Sequence, residues 1–562
     1  MNFLKYFFSF LLLVFCMTSF QSSLCMEDDD LYFDDGVSIS DDIDIFNDPT
    51  IGSFLDKTKF SAQVEFSPKE IMEALIEIGA DKILEEDLFC STAPLNKRSL
   101  LDIPIFVLDK DYDFKRGSMC AHFFYNQTTR MYFNPCSSCI SSYLGITQTS
   151  LLQKVACSIE KIKEILETDF FGFDCIRAIN LFKNATVQER RLGLMMQGWW
   201  RVFKDFRFSF KLPFYWRERN YYLTEEEQDA IEKEFGALSP DEQEKFQEAH
   251  MISDKIGLGD LRMEIDFPLM SNYGKMRSRV GMFTTIPSSL PLIKGLLGSD
   301  YIPKKCRPSF NLEQMFDLAG SPATSDEAMK MAKDFLLCAI DGISSNLLDT
   351  DLGNNRHLGL GFLMRTKTPL SVLIKRPWAE KVYWKGKMTF EYLFPRRRQR
   401  WFVECQNPCL FAERNFQEYE DDPDNITEEK AKSDLEFLEK HFVDKLFPYV
   451  FETKVRPGIV FMWASRLSYE ARRIGFHLGW DTWVQTGERL SDIFVTNELA
   501  SKLDIGRAKR CFAYQWSLYG SLFFKVKRYN KELIISLNAE GVASNRGIGS
   551  DFILSLNIES NF

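Results

Sequence analysis

The 562-residue chain has only five histidines, and it contains no Gly-x-Ser-x-Gly, no His-Glu-x-x-His and no Walker-type phosphate loop. Those gaps remove the nucleophile elbow, the zinc-protease helix and the nucleotide cradle, and no enzyme is expected. Beyond the first 25 residues no run of about 18 apolar residues occurs, so no transmembrane helix is expected. Basic residues do not dominate: the formal net charge is −11, which argues against a dedicated nucleic-acid binder. Thirteen cysteines, less Cys16 and Cys25 in the first 25 residues, leave eleven. Cys136 and Cys139, and Cys405 and Cys409, are close pairs without histidine at zinc-finger spacing. Local disulfides or buried thiols therefore outrank a metal site, and no cofactor is expected.

What is present is apolar and aromatic. Hydrophobic residues make up 45% and phenylalanine alone counts 51. Met1–Cys25 reads as a secretory signal, with Lys5 before an apolar run and Ser23-Leu24-Cys25 at its end. Residues 26–100 read as an acidic leader that can act as a periplasmic or plug segment. Ser67–Leu84 within it is a predicted helix, with Ser67 as N-cap and Glu70 at the capping-box position.

The remainder, 101–562, alternates. In Asp551–Phe562 the residues Phe552, Leu554, Leu556, Ile558 and Phe562 share one face, and Asp551, Ile553, Ser555, Asn557 and Glu559 share the other. Successive side chains of a strand point to opposite faces, so this is a strand apolar on one side. Similar runs recur at Arg191–Trp200, Phe206–Trp216, Leu261–Leu269, Lys275–Thr284, Leu358–Met364, Val382–Phe394, Ile459–Leu467, Ile474–Trp483, Phe512–Val526 and Leu533–Ala539. Adding Leu101–Leu108 and a hairpin of Cys120–Tyr125 with Thr129–Phe133 predicts about fourteen strands. Tight junctions alternate with long helical insertions near 135–188, 217–255, 285–353, 395–455 and 486–507. Membrane barrels alternate short periplasmic turns with long outer loops in this way. The expected fold is thus mainly β, an antiparallel up-and-down transmembrane barrel.

The signal peptide, the alternating runs and the terminal DFILSLNIESNF together resemble a Gram-negative outer-membrane β-barrel. Gly257-Leu258-Gly259-Asp260 opening a strand is similar to strand starts of the fourteen-stranded hydrophobic-compound and long-chain fatty-acid transporters. The large helical insertions depart from that family and suit a lineage-specific barrel. The resemblance implies an outer-membrane location, a plug from residues 26–100, and contact with membrane lipid and the barrel-assembly machinery. Phe552, Leu554, Leu556, Ile558 and Phe562 would form the assembly signal.

The polar faces set the expected lumen. Arg207, Lys211, Arg262, Lys275, Arg277, Arg279, Arg365, Lys381, Lys385, Lys387, Arg473, Lys525 and Lys527 would point inward, against fewer acids such as Asp260, Glu264, Asp266, Glu391, Asp481 and Glu559. Rings of arginine and lysine favour anions in pores. The first functional reading is a porin-like pore or solute-uptake channel with a basic-leaning lumen and an unknown solute. The competing state is one in which these charges pair with each other and with a plug, closing the barrel. A second reading is a surface-display barrel whose helical loops bind a partner. A third is a soluble secreted β-rich protein, in which Asn126, Asn184 and Asn425 would be glycan acceptors. His477 with Ser465 or Ser468 is the one pairing that suggests rim hydrolysis, against the plainer reading of a solvated histidine. The run Asp421, Asp422, Asp424, Asn425 and Glu428 suits a helix N-terminus better than a calcium loop.

Overall fold

A computed structural model of the chain describes residues 67–77, 89–106, 117–132, 185–203, 206–222, 250–269, 277–296, 314, 327, 338, 341–349, 351–354, 356–404, 414, 416–528 and 531–561. The expected signal peptide, the leader before residue 67, the close cysteine pairs, most of the predicted helical insertions before residue 340, Asn184, Lys275 and Phe562 lie outside those residues.

Helix α1 (Pro68–Glu77) opens the described chain. The Ser67 hydroxyl accepts from the Glu70 N–H at 3.3 Å, and Glu70 Oε2 accepts from the Ser67 N–H at 2.9 Å. That reciprocal pair is the capping box read from the sequence. The first strands are β1 (Gly117–Thr129), β2 (Thr186–Arg201) and β3 (Arg207–Tyr222). Then come β4 (Ile252–Leu258), β5 (Leu261–Pro268), β6 (Arg277–Ile286) and β7 (Leu290–Lys294). β8 (Gly359–Pro369), β9 (Val382–Leu393) and β10 (Arg396–Phe402) lead to helix α2 (Glu428–Leu446). β11 (Tyr449–Arg456), β12 (Val460–Glu470), β13 (Ile474–Gln485) and β14 (Arg489–Ser491) follow. β15 (Ala513–Arg528), β16 (Lys531–Arg546) and β17 (Ser550–Asn561) end the chain's described part.

Twelve of these strands close a ring: β1, β2, β3, β5, β6, β8, β9, β12, β13, β15, β16 and β17. β17 returns to pair with β1 from Ser118↔Asn561 to Thr129↔Ser550, so the ring has no free edge. The count is twelve rather than fourteen, for two reasons. The stretch expected as a hairpin at 120–133 is one strand, β1, because Asn126 and Thr128 are buried inward-facing residues and not a turn. Leu101–Leu108 is not a strand where it is described: Leu100–Asp102 and Pro104–Phe106 form two short 3-10 turns inside the ring.

β3 carries two partners in series, β5 on Arg207–Lys211 and β4 on Phe214–Asn220. The break faces Pro213, which has no N–H for the ladder; the Gly259 N–H instead reaches the Pro213 carbonyl at 2.8 Å. β4 pairs with β7 beyond the ring, extending the wall at the long-connection end. On that end lies a cap: the three-stranded sheet β10–β11–β14, with Phe402, Leu503 and Ala508 as its core, and α2 packed against α1. α2 starts beside the acidic run read as a helix N-terminus, with the Thr427 hydroxyl accepting from the Lys430 N–H.

The faces separate cleanly. On β17, Asp551, Ile553, Ser555, Asn557 and Glu559 are buried inside, while Leu554, Leu556 and Ile558 are exposed outside and Phe552 is half-buried. The same outward exposure holds for Phe123, Leu192, Ile265, Met282, Phe390 and Leu478, the last at 57%.

Candidate functional site

The ring's interior is filled by the chain's own residues 93–106. Leu100, Leu101, Ile103, Ile105 and Phe106 pack against wall residues Phe124, Met195, Tyr215, Tyr519 and Ile553, with Leu352 from the loop before β8. Phe106 meets Phe124 edge-on at 5.2 Å between centroids. This interior layer, the plug segment, lies at the end of the 26–100 stretch expected as a leader that can act as a plug, and runs past it to Phe106.

Ion pairs hold the plug to opposite walls. Arg98 bonds Asp481 on β13 at 2.5 Å and Glu540 on β16 at 3.2 Å. Asp102 bonds Arg262 on β5 at 2.8 Å, and Arg262 bonds Glu391 on β9 at 2.8 Å while lying over the Phe283 ring. All six charged groups are almost wholly buried, so each needs its partner. Arg191 donates to the Arg98 carbonyl at 3.1 Å and pairs with Glu189. Nothing periodic marks Arg98 or Asp102 in the sequence; only the closed ring brings them to acids and bases hundreds of positions away.

Below the plug, toward the short connections, a second network forms. Arg279 and Arg365 share Asp266, Arg365 also binds Glu264, and Lys387 lies 3.8 Å from Glu264. Lys385 pairs with Glu470. Arg207, Lys211, Arg262, Arg279, Arg365, Lys385 and Lys387 are therefore buried inside the ring. Arg207 lies over the Trp199 ring. Lys525 is partly buried near the short-connection end, over Phe523. Arg277, Lys381 and Arg473 are exposed at that rim instead, because each stands where a strand has just begun or a turn is ending. Lys275 and the Lys527 side chain lie outside what is described.

His477 and Ser468 face each other across the β12–β13 pair, both buried inside the ring. Ser465 has the opposite parity and accepts from Trp384 Nε1 at 2.8 Å, so it cannot join His477. The pairing is interior and not on an outer rim. Asn126 is fully buried and cannot carry a glycan. Among the described residues no three histidine, cysteine, aspartate or glutamate side chains gather as a metal site. Among the described cysteines, Cys90 and Cys120 are free thiols and Cys338 is disulfide-bonded.

At the long-connection end the cap borders a partly open cavity of about 470 Å³. Its walls come from the start of the plug (Pro94, Leu95), the end of β3 (Arg219), β10 (Arg397–Trp401), β11 (Val450, Glu452) and Arg510. Asp351 reaches this wall too and binds Arg398. Burial would raise the Asp351 carboxyl, but Arg398, Arg356 and Lys97 outweigh it and hold it below the usual carboxylate range. Glu488 behaves alike: burial opposes its charge, and Arg400 and Arg510 more than offset it. His357, whose Nδ1 is 3.0 Å from the Phe394 carbonyl, is pushed down to about 4 by burial.

No protein-family model and no curated protein sequence matches the chain. Among solved structures it is similar to an outer membrane channel from Pseudomonas putida F1, at 9% identity and TM-score 0.36, over 81% of this chain and 100% of that one. The Pseudomonas putida toluene transporter TodX aligns at 7% identity and TM-score 0.29, covering 84% of this chain and 96% of that one. The translocator domain of the autotransporter NalP from Neisseria meningitidis aligns at 6% identity and TM-score 0.28, over 80% and 90%.

Proposed function

We propose that the chain is an outer-membrane β-barrel that passes a small solute when its plug is displaced, through a lumen that leans basic. One observation carries this reading. Around a closed ring the apolar faces are turned outward and the charged faces inward, the reverse of a water-soluble barrel. A continuous exposed band that includes Phe123, Met282, Phe390, Leu478 and Leu556 is tolerable in lipid and not in water. The partners this implies are outer-membrane lipid, the barrel-assembly machinery acting on β17, and the solute.

The lumen's lean is argued from its short-connection half. There Arg207, Lys211, Arg279, Arg365, Lys385 and Lys387 face Glu264, Asp266, Glu470 and Glu559. Cations outnumber acids, and a basic constriction favours anions. The test is planar-bilayer recording of the full chain. Wild type is expected to be nearly silent, and a variant with a loosened plug to conduct with reversal potentials favouring anions. Cation-selective currents would sink the basic-lumen reading; silence of an inserted, plug-loosened variant would sink the channel reading.

The cap favours a second reading as well. A folded sheet with its own core and a 19-residue helix stand outside the ring, a surface suited to binding a partner. Conductance separates the two.

A further inference from the structure

Two of the arginines around the cap cavity, Arg219 and Arg400, each keep one buried N–H without a partner. Arg219 is 1% exposed; its Nε donates to Glu189 at 2.7 Å and its Nη1 to the Leu347 carbonyl at 2.8 Å, while Nη2 is buried with no partner. Arg400 is 8% exposed; its Nη2 donates to both Glu488 oxygens at 3.1 Å, and its Nε is buried with no partner. Each guanidinium is thus held in place by an acid and still has a donor to spend. Both line the same cavity, beside Arg397, Arg398 and Arg510. A buried N–H without a partner is costly, more so on a charged group, and both of these arginines belong to the cavity wall.

We infer that this cavity binds a small organic anion, a solute bearing a carboxylate or phosphate group. The arginine fork matches both oxyanions in geometry. At about 470 Å³ the space exceeds a bare ion and falls within the ~300–1,000 Å³ of small-molecule sites. The lining is not uniformly polar: Leu95, Trp401 and Val450 supply an apolar wall for the rest of the molecule. Asp349, Asp351 and Glu452 share the lining, so selection for an anion depends on the arginines outnumbering them. Asp351 and Asp349 are already engaged, with Arg398 and with Lys255. The site stands whether or not the barrel conducts.

Calorimetric titration of the full-length protein in detergent, at low salt, with inorganic phosphate and separately with citrate, tests it. At least one probe is expected to bind. Arg400→Lys keeps a cation for Glu488 but removes the spare Nε donor, and is expected to weaken binding about tenfold. Arg397→Gln, at an exposed position with no ion pair among the described residues, is expected to weaken it several-fold and guards against a misfolded Arg400 variant. Phosphate alone binding assigns a phosphate-bearing ligand, and citrate alone a carboxylate. Silence with both probes overturns the inference, as does unchanged affinity in both variants when their heat-modifiable gel mobility is native.

Discussion

Arg98 and Asp481 lie 383 positions apart and form a buried 2.5 Å ion pair across the barrel lumen. Arg98 belongs to the plug and Asp481 to β13, so this bond, with its neighbour to Glu540, ties the plug to the wall. Arg98→Met would leave Asp481 and Glu540 buried and uncompensated, a loss of about 3–5 kcal/mol. Single-channel recording is expected to show rare openings becoming frequent, and the unfolding midpoint in urea is expected to fall. A variant as closed as wild type would mean the apolar layer of Leu101, Ile103 and Phe106 holds the plug without the ion pair.

Leu556→Arg separates membrane from water on the outer face. Leu556 is exposed in the middle of β17. In a bilayer, arginine at mid-depth costs about 2–4 kcal/mol, while on a water-facing surface the change is close to neutral. Recovery of the heat-modifiable folded form from lipid vesicles is expected to drop sharply. Equal recovery would count against a lipid-facing β17.

Gln127 lies inside β1 and pairs on both sides, with Phe552 and Arg190. A proline there removes a ladder donor near the long-connection end of a strand paired on both sides, at the seam that closes the ring. Gln127→Pro is expected to abolish the folded band on unheated gels. If residues 126–128 were a hairpin turn, proline would be tolerated.

Acid should weaken the fold through His357, which stands just before β8. His357 is 2% exposed and titrates near 4, against 6.5 for a free imidazole. Between those values the unfolded chain binds the proton and the folded one does not, so stability falls as pH falls through that window. The full span is worth roughly 3 kcal/mol at most. Asp351 and Glu488, held below their ordinary values, lose their stabilisation at lower pH still. Urea unfolding from pH 7 to pH 4 is expected to show the decline, and His357→Gln to flatten its upper part. An unchanged slope in the variant would show that other groups set it.

Period-two patterning in the sequence determined which residues face in and which face out. Leu554, Leu556 and Ile558 outside against Ser555, Asn557 and Glu559 inside needed nothing beyond the geometry of a strand. The helix starts at Ser67 and Thr427 were equally local, since a cap is a contact over three residues. Strand number was decided only by closure. A polar lumen inverts the ordinary signals: Asn126-Gln127-Thr128 has turn composition yet runs straight through β1, because inward-facing polar side chains there meet Asp551 and other polar neighbours. Leu100–Phe106 looks like wall and is filling, because an apolar segment buried among Phe124, Met195 and Tyr519 needs no ladder partner. The pairing of Arg98 with Asp481, and the gathering of Arg219, Arg400 and Arg510 around one cavity, were likewise tertiary. Contacts between residues so far apart arise only when β17 meets β1, and no local pattern encodes that distance.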